Sequence, residues 1–164
     1  VKEDREEVKP GEVGEILIKG YLVMQGYWHR YEETQIKLKD GWLHTGDLAT
    51  VDDEGYIFIV DRKDYMIISG GFNVYPKEIE DYLSSHPAVL QVAVFGVPHE
   101  KYGETVKAVV SLKKGSVASE QDLMNFCKSG DLAGFKRPTS FLFLDELPLT
   151  GAGKLDKKAL KLMV

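Results

Sequence analysis

Residues 61–76 read Asp-Arg-Lys-Asp-Tyr-Met-Ile-Ile-Ser-Gly-Gly-Phe-Asn-Val-Tyr-Pro. A charged start gives way to the apolar run Tyr65–Ile68, which predicts a short strand. Ser69–Asn73 then reads as a loop, whose two glycines admit positive φ and close backbone approach. Pro76 suits the first turn of a helix, where its missing N–H costs nothing. Ile79, Tyr82 and Leu83 recur at helical spacing behind it. Further along, Val89 to Val97 is an apolar strand. Val106, Ala108, Val110 and Leu112 alternate with Lys107, Val109 and Ser111, which predicts a strand covered on one side. Ser119-Glu120-Gln121-Asp122 has the form of a capping box, and it opens a helix with Leu123, Phe126 and Cys127 on one face. Phe141–Leu144 is a strand. Asp156–Met163 is a terminal helix with Leu160 and Met163 on one side. The order β-α-β-β-α-β-α predicts an α+β domain, a small mixed or antiparallel sheet with packed helices, over residues 61–164.

Upstream the pattern differs. Gly14–Gly20 reads as a strand, Tyr31–Lys39 as a short helix ended by Asp40-Gly41, and Trp42–Thr50 and Tyr56–Val60 as two strands. Asp52-Asp53-Glu54-Gly55 is a turn signal between them. Residues 1–60 thus form a β-rich piece with few core positions, one that needs a partner surface. The change of pattern sets the boundary at Asp61.

Composition narrows the classes. The chain has 164 residues, 43% hydrophobic and 29% charged, ordinary for a globular protein. A net charge of −5 argues against broad binding to nucleic acid. Cys127 is the single cysteine, so no internal disulfide forms, which fits a cytoplasmic location. The charged start Val1–Glu7 is no signal peptide. No apolar run approaches the roughly 20 residues of a membrane span. Association with a membrane surface stays open, as does the oligomeric state.

Four places carry chemistry. Asp47, at a strand end after Thr45-Gly46, either caps a turn or offers two carboxylate oxygens to a vicinal diol. Asp61-Arg62 is a surface ion pair or a pivot where the pattern changes. Ser69-Gly70-Gly71 is a turn or a wall without side chains. Lys154, in Pro148-Leu149-Thr150-Gly151-Ala152-Gly153-Lys154, is a solvated lysine or a mobile ammonium that meets developing negative charge. His44 has no orienting neighbour within its own segment and reads as surface or packing.

Together and in this order, these motifs resemble the adenylate-forming (AMP-binding) enzymes, and most of all the acyl- and aryl-CoA synthetases of the fatty-acid–CoA ligase type. Only the C-terminal part of that family's pattern is present. The resemblance implies that residues 1–60 are the end of a large N-terminal AMP-binding domain, and that 61–164 are a small mobile C-terminal domain with its hinge at Asp61. It implies that Asp47 and Arg62 contact the ribose of ATP. Ser69, Gly70 and Gly71 would line the tunnel for the pantetheine arm of coenzyme A, and Lys154 would be the catalytic lysine of adenylation. Lys77, Lys136 and Arg137 are candidate contacts for coenzyme A phosphates. The family often has arginine where Lys157 stands, which puts a phosphate contact there in doubt.

The implied substrates and cofactors are a small carboxylic acid, ATP, coenzyme A and Mg2+, with no metal ligand in these residues. The family's Ser/Thr/Gly-rich phosphate loop is not found in this sequence, so residues 1–164 alone are expected to be inactive. The rival readings are a peptide-synthetase adenylation domain that loads a carrier protein, a luciferase-like oxidase, and a free-standing non-catalytic binding module. Peptide-synthetase domains show an Ile-Arg-Gly-x-Arg-Ile-Glu pattern at the glycine loop, unlike Ser69–Pro76.

Overall fold

A computed structural model describes residues 1–2 and 6–164. Part of the charged N-terminal stretch, residues 3–5, lies outside the described residues. The chain divides into two compact units, Val1–Asp64 and Tyr65–Val164. The division falls a little beyond Asp61.

The first unit is a four-stranded antiparallel sheet built on one long strand. Its elements are β1 (Gly14–Ile18), α1 (Tyr31–Lys37), β2 (Leu38–Lys39), β3 (Trp42–Val51) and β4 (Ile57–Arg62). Leu43 pairs with both Ile18 and Leu38, and Leu48 with both Glu15 and Asp61, so β1 holds one edge of β3 while β2 and β4 share the other. The expected helix to Lys39 stops at Lys37. Asp40 and Gly41 both have positive φ, 54° and 78°, the signature of a two-residue hairpin turn. That turn folds Leu38-Lys39 back onto Trp42-Leu43 as a strand. The Asp52–Gly55 turn forms as its residues dictate: the Asp52 carboxylate accepts from the Glu54 and Tyr56 amides.

The second unit contains β5 (Ile67–Ser69), β6 (Phe72–Val74), α2 (Pro76–Ser84), β7 (Val89–His99), β8 (Gly103–Leu112), α3 (Glu120–Ser129), β9 (Ser140–Phe143) and α4 (Lys157–Lys161). Its sheet runs β6-β5-β8-β7 with antiparallel neighbours, and β9 joins β8 in parallel. The fold is therefore α+β with a mixed sheet. Ser69–Asn73 is tighter than a loop. Gly70 and Gly71 have φ of 58° and 86°, a two-residue turn that pairs Ser69 with Phe72 in a β5–β6 hairpin. Pro76 occupies the first turn of α2, and the Ser119–Asp122 capping box is formed in both directions.

The core of this unit has two sides. On one, Ile79 and Leu83 of α2 and Leu123 and Cys127 of α3 pack with Val106, Ala108 and Val110. On the other, Val109 meets Ala93, Phe95, Leu147 and Leu160. So β8 is covered on both faces, not on the single face that its alternation suggested. Leu160 of α4 fills the second face, while Met163, expected beside it, is exposed. Each fully buried aliphatic side chain contributes up to about 1.5–3 kcal/mol.

Candidate functional site

In the first unit, the β3–β4 register sets Asp47 directly opposite Arg62. The Arg62 guanidinium donates to Asp47 Oδ1 at 2.7 Å. Gly46 precedes Asp47 with φ 76°, and a Cβ there would lie 3.2 Å from both Arg62 Nη2 and Lys37 Nζ. Two cations thus approach the backbone at a position that only glycine leaves open. Thr45 locks the turn from both sides: its hydroxyl donates to the Ile16 carbonyl and accepts from the Asp47 amide.

Glu15, on the neighbouring strand, completes the arrangement. Its carboxylate accepts from the Gly46 amide at 3.1 Å and pairs with Lys63 at 3.2 Å. Burial pushes this carboxyl upward, but the hydrogen bonds from Lys63 and Gly46 outweigh it and hold the group below its ordinary range. His44 does have an orienting neighbour, across the strand pair: its Nδ1 lies 3.5 Å from Glu15.

Asp61 is buried and accepts from the Arg62 amide at 2.6 Å. The β3–β4 register shifts just before it, a bulge that increases local twist.

In the second unit, a cavity of about 370 Å³ opens beside the glycine turn, lined by Ser69, Gly70, Phe72, Tyr102, Phe135 and Arg137, among others. Phe72 and Phe135 stack with ring centroids 4.6 Å apart. Thr105 and Thr139 add hydroxyls 3.1 Å from each other. Arg137 is fixed by its Nε, which donates to the Leu132 carbonyl. The walls are aromatic and glycine-smooth, with one cation, Arg137, and the hydroxyl-bearing residues Ser69, Tyr102, Thr105 and Thr139, which suits a slender chain that carries polar groups. Gly71 shapes the turn but does not line the cavity, and a Cβ there would meet open space. Lys136 is held by both Glu78 oxygens at 2.7 Å, and Lys77 pairs with Asp81 along the same helix.

Sequence reasoning missed Tyr102, Thr105 and Thr139. Thr105 stands on β8, Tyr102 in the turn before it and Thr139 just ahead of β9, all far in sequence from the glycines; the pairing of Ser69 with Gly103 and the bond from the Thr139 amide to the Val106 carbonyl bring them there. Phe135 carried a weak signal as an aromatic ring in the basic stretch Gly134–Arg137.

Lys154 sits apart on an exposed loop whose base is closed. The Asp156 amide donates to the Pro148 carbonyl, and Leu149 bridges Leu155. At the tip, the Thr150 amide donates to the Lys154 carbonyl at 2.7 Å, and Gly153 turns with φ 76°. No group of three or more His, Cys, Asp or Glu side chains among the described residues is arranged to hold a metal ion. No helix among them is long and apolar enough to cross a membrane.

Residues 78–154 match the model of the AMP-binding enzyme C-terminal domain. This stretch belongs to that family. Similarity extends beyond it in both directions. A long-chain-fatty-acid–CoA ligase of Escherichia coli O6:H1 is 48% identical over 161 residues, 98% of this chain and 28% of the ligase. A feruloyl-CoA synthase of an Amycolatopsis species is 50% identical over 152 residues, 93% of this chain and 31% of that enzyme. The o-succinylbenzoate CoA synthetase MenE of Bacillus subtilis, solved with its acyl-adenylate intermediate, superposes with a TM-score of 0.88 at 40% identity. That match covers 98% of this chain and 33% of MenE. The chain carrying this AMP-binding C-terminal domain therefore spans under a third of the length of these relatives.

Proposed function

We propose that residues 1–164 are the C-terminal working part of an ATP-dependent carboxylate–CoA ligase. The observation that carries this reading is the presence, within one compact unit, of a glycine-walled cavity and a separate loop presenting Lys154. In the first half-reaction a carboxylate oxygen attacks the α-phosphorus of ATP. The bond to pyrophosphate breaks, and an acyl-adenylate forms. Lys154 brings its ammonium to the charge growing on the α-phosphate, while Asp47 holds the ribose hydroxyls beside Arg62. In the second half-reaction the thiol of coenzyme A attacks the acyl carbon and AMP leaves. The pantetheine arm runs past Ser69 and Gly70, beyond the turn that Gly71 permits, and Asp61 is the pivot between the two arrangements. Magnesium accompanies the ATP and draws no ligand from these residues.

The first unit supports a place at the end of a larger domain. Tyr56, Ile57, Phe58 and Ile59 are 56–64% exposed, so β4 has apolar residues uncovered on both faces. Cys127, a free buried thiol, suits a reducing cytoplasm.

Two variants of the full protein test the division of labour. Lys154→Ala is expected to slow carboxylate-dependent pyrophosphate exchange about 10²–10³-fold, and to spare thioester formation from supplied acyl-adenylate. Gly70→Asn keeps the turn, since asparagine tolerates positive φ there, but places an amide on the cavity wall. It is expected to raise the KM for coenzyme A and leave adenylation alone. Equal effects on both half-reactions from either variant would refute the assignment.

A further inference from the structure

Lys157 follows Lys154 by three residues, where the sequence left a phosphate contact in doubt. Its ammonium is committed elsewhere. It lies 2.6 Å from Glu80 Oε1, with the two side chains only 14% and 12% exposed. It also stands over the Tyr65 ring, 4.8 Å from the centroid. Glu80 is fixed in turn, because the same oxygen accepts from the Val94 amide of β7 at 2.8 Å. A half-dry ion pair therefore ties the first residue of α4 to α2 and β7, and sets it over Tyr65, two residues before β5.

The loop of Lys154 hangs from that point. Asp156 caps α4 by accepting from the Lys158 and Ala159 amides, and its own amide closes the loop base on Pro148. Leu160, one turn on, is buried against Val109 and Phe95. Lys157 and Leu160 are thus the two anchors of a five-residue helix, one ionic and one apolar.

We propose that Lys157 and Glu80 form a clamp that positions Lys154 for adenylation. Lys157 is then a positioning residue and touches no phosphate. This rests on the reading above that Lys154 serves the first half-reaction. The chemistry favours a clamp: an ammonium paired this closely with a carboxylate, and largely out of water, is costly to withdraw. A small shift in the anchor of a reactive group costs a large factor in rate.

The test uses the full protein and the variants Lys157→Met, Glu80→Gln, the two combined, and Lys157→Arg. The double variant avoids leaving one buried charge alone. Carboxylate-dependent pyrophosphate exchange, thioester formation from supplied acyl-adenylate, and thermal melting are measured side by side. The first three variants are expected to lose about 10- to 100-fold in exchange, with thioester formation unchanged, and Lys157→Arg to retain most of the activity. If Lys157→Met loses exchange while Glu80→Gln keeps it, Lys157 contacts substrate directly and the clamp is wrong. Equal loss in both half-reactions with a lowered melting temperature makes the pair merely structural and also overturns it. Lys154→Ala separates the two levels. If that variant alone abolishes exchange, only the clamp falls; if it leaves exchange intact, the assignment of Lys154 falls first.

Discussion

Glu15 shows how much one carboxylate decides. It holds the Gly46 amide, Lys63 and His44 at once, and so sets the turn that presents Asp47. Its carboxyl is held below the ordinary value of 4.5. A depressed folded-state value stabilises the fold above the unfolded value, and that contribution is lost as pH falls through the folded one. The turn is therefore expected to hold at neutral pH and loosen in acid, below about 4.5. The amide resonance of Gly46, followed by NMR against pH, should titrate in that acid range in the wild type and stay flat in Glu15→Gln. An unshifted Gly46 signal in the wild type would remove Glu15 from the turn. Asp47 and Arg62 stood out in the sequence through the motifs that carry the family resemblance. Glu15 did not, since it is one acid among 26 Asp and Glu and gains meaning only from the β1–β3 register.

At the scale of elements, the β5–β6 hairpin is hung from β8 by few bonds. The Ile68 amide donates to Glu104 at 2.9 Å, and the Gly70 amide to the Tyr102 carbonyl at 2.9 Å. Gly96 on β7 makes the first of these bonds possible, for a Cβ there would come within 2.7 Å of the Glu104 carboxylate. Gly96→Ala is expected to push Glu104 aside and free the hairpin. Amide exchange at Ile68 and Gly70 should quicken, while Val92 and Val110 in the core keep their protection. Unchanged exchange at Ile68 would show that Glu104 does not hold the hairpin. The sequence read Ser69–Asn73 as a loop because a glycine pair fits a loop as well as a two-residue turn. What decided was the short strand on either side, each only three residues long. Likewise, the alternation along β8 gave the correct inner face, yet Val109 and Ser111 are buried as well. The covering helix, α4, lies far along the chain and no local pattern announces it.

For the molecule as a whole, the fold class and the longer strands were readable, because periodicity and turn residues are local; the short strands β2 and β6 were not. Which surfaces close on each other was not. The uncovered apolar strand Tyr56–Ile59 should make residues 1–164 self-associate or bind apolar dyes. Ile57→Lys with Ile59→Lys is expected to suppress both in light scattering and dye fluorescence, with the far-ultraviolet circular dichroism preserved. Persistent dye binding in that variant would place the sticky surface elsewhere. In the full protein the same pair should instead lower the melting temperature, since buried lysines there would lack partners.

Cys127 gives the second unit a built-in clock. The thiol lies in the α3 face of the core, almost fully buried, and burial pushes its pKa up. A reagent reaches the buried sulfur only when the surrounding side chains part, so a thiol reagent in excess reacts at the rate at which this unit opens. Because the chain has no other thiol, that signal is free of contributions from residues 1–64. A single reaction trace therefore measures how fast the unit bearing Lys154 opens, inside the whole chain and without denaturant.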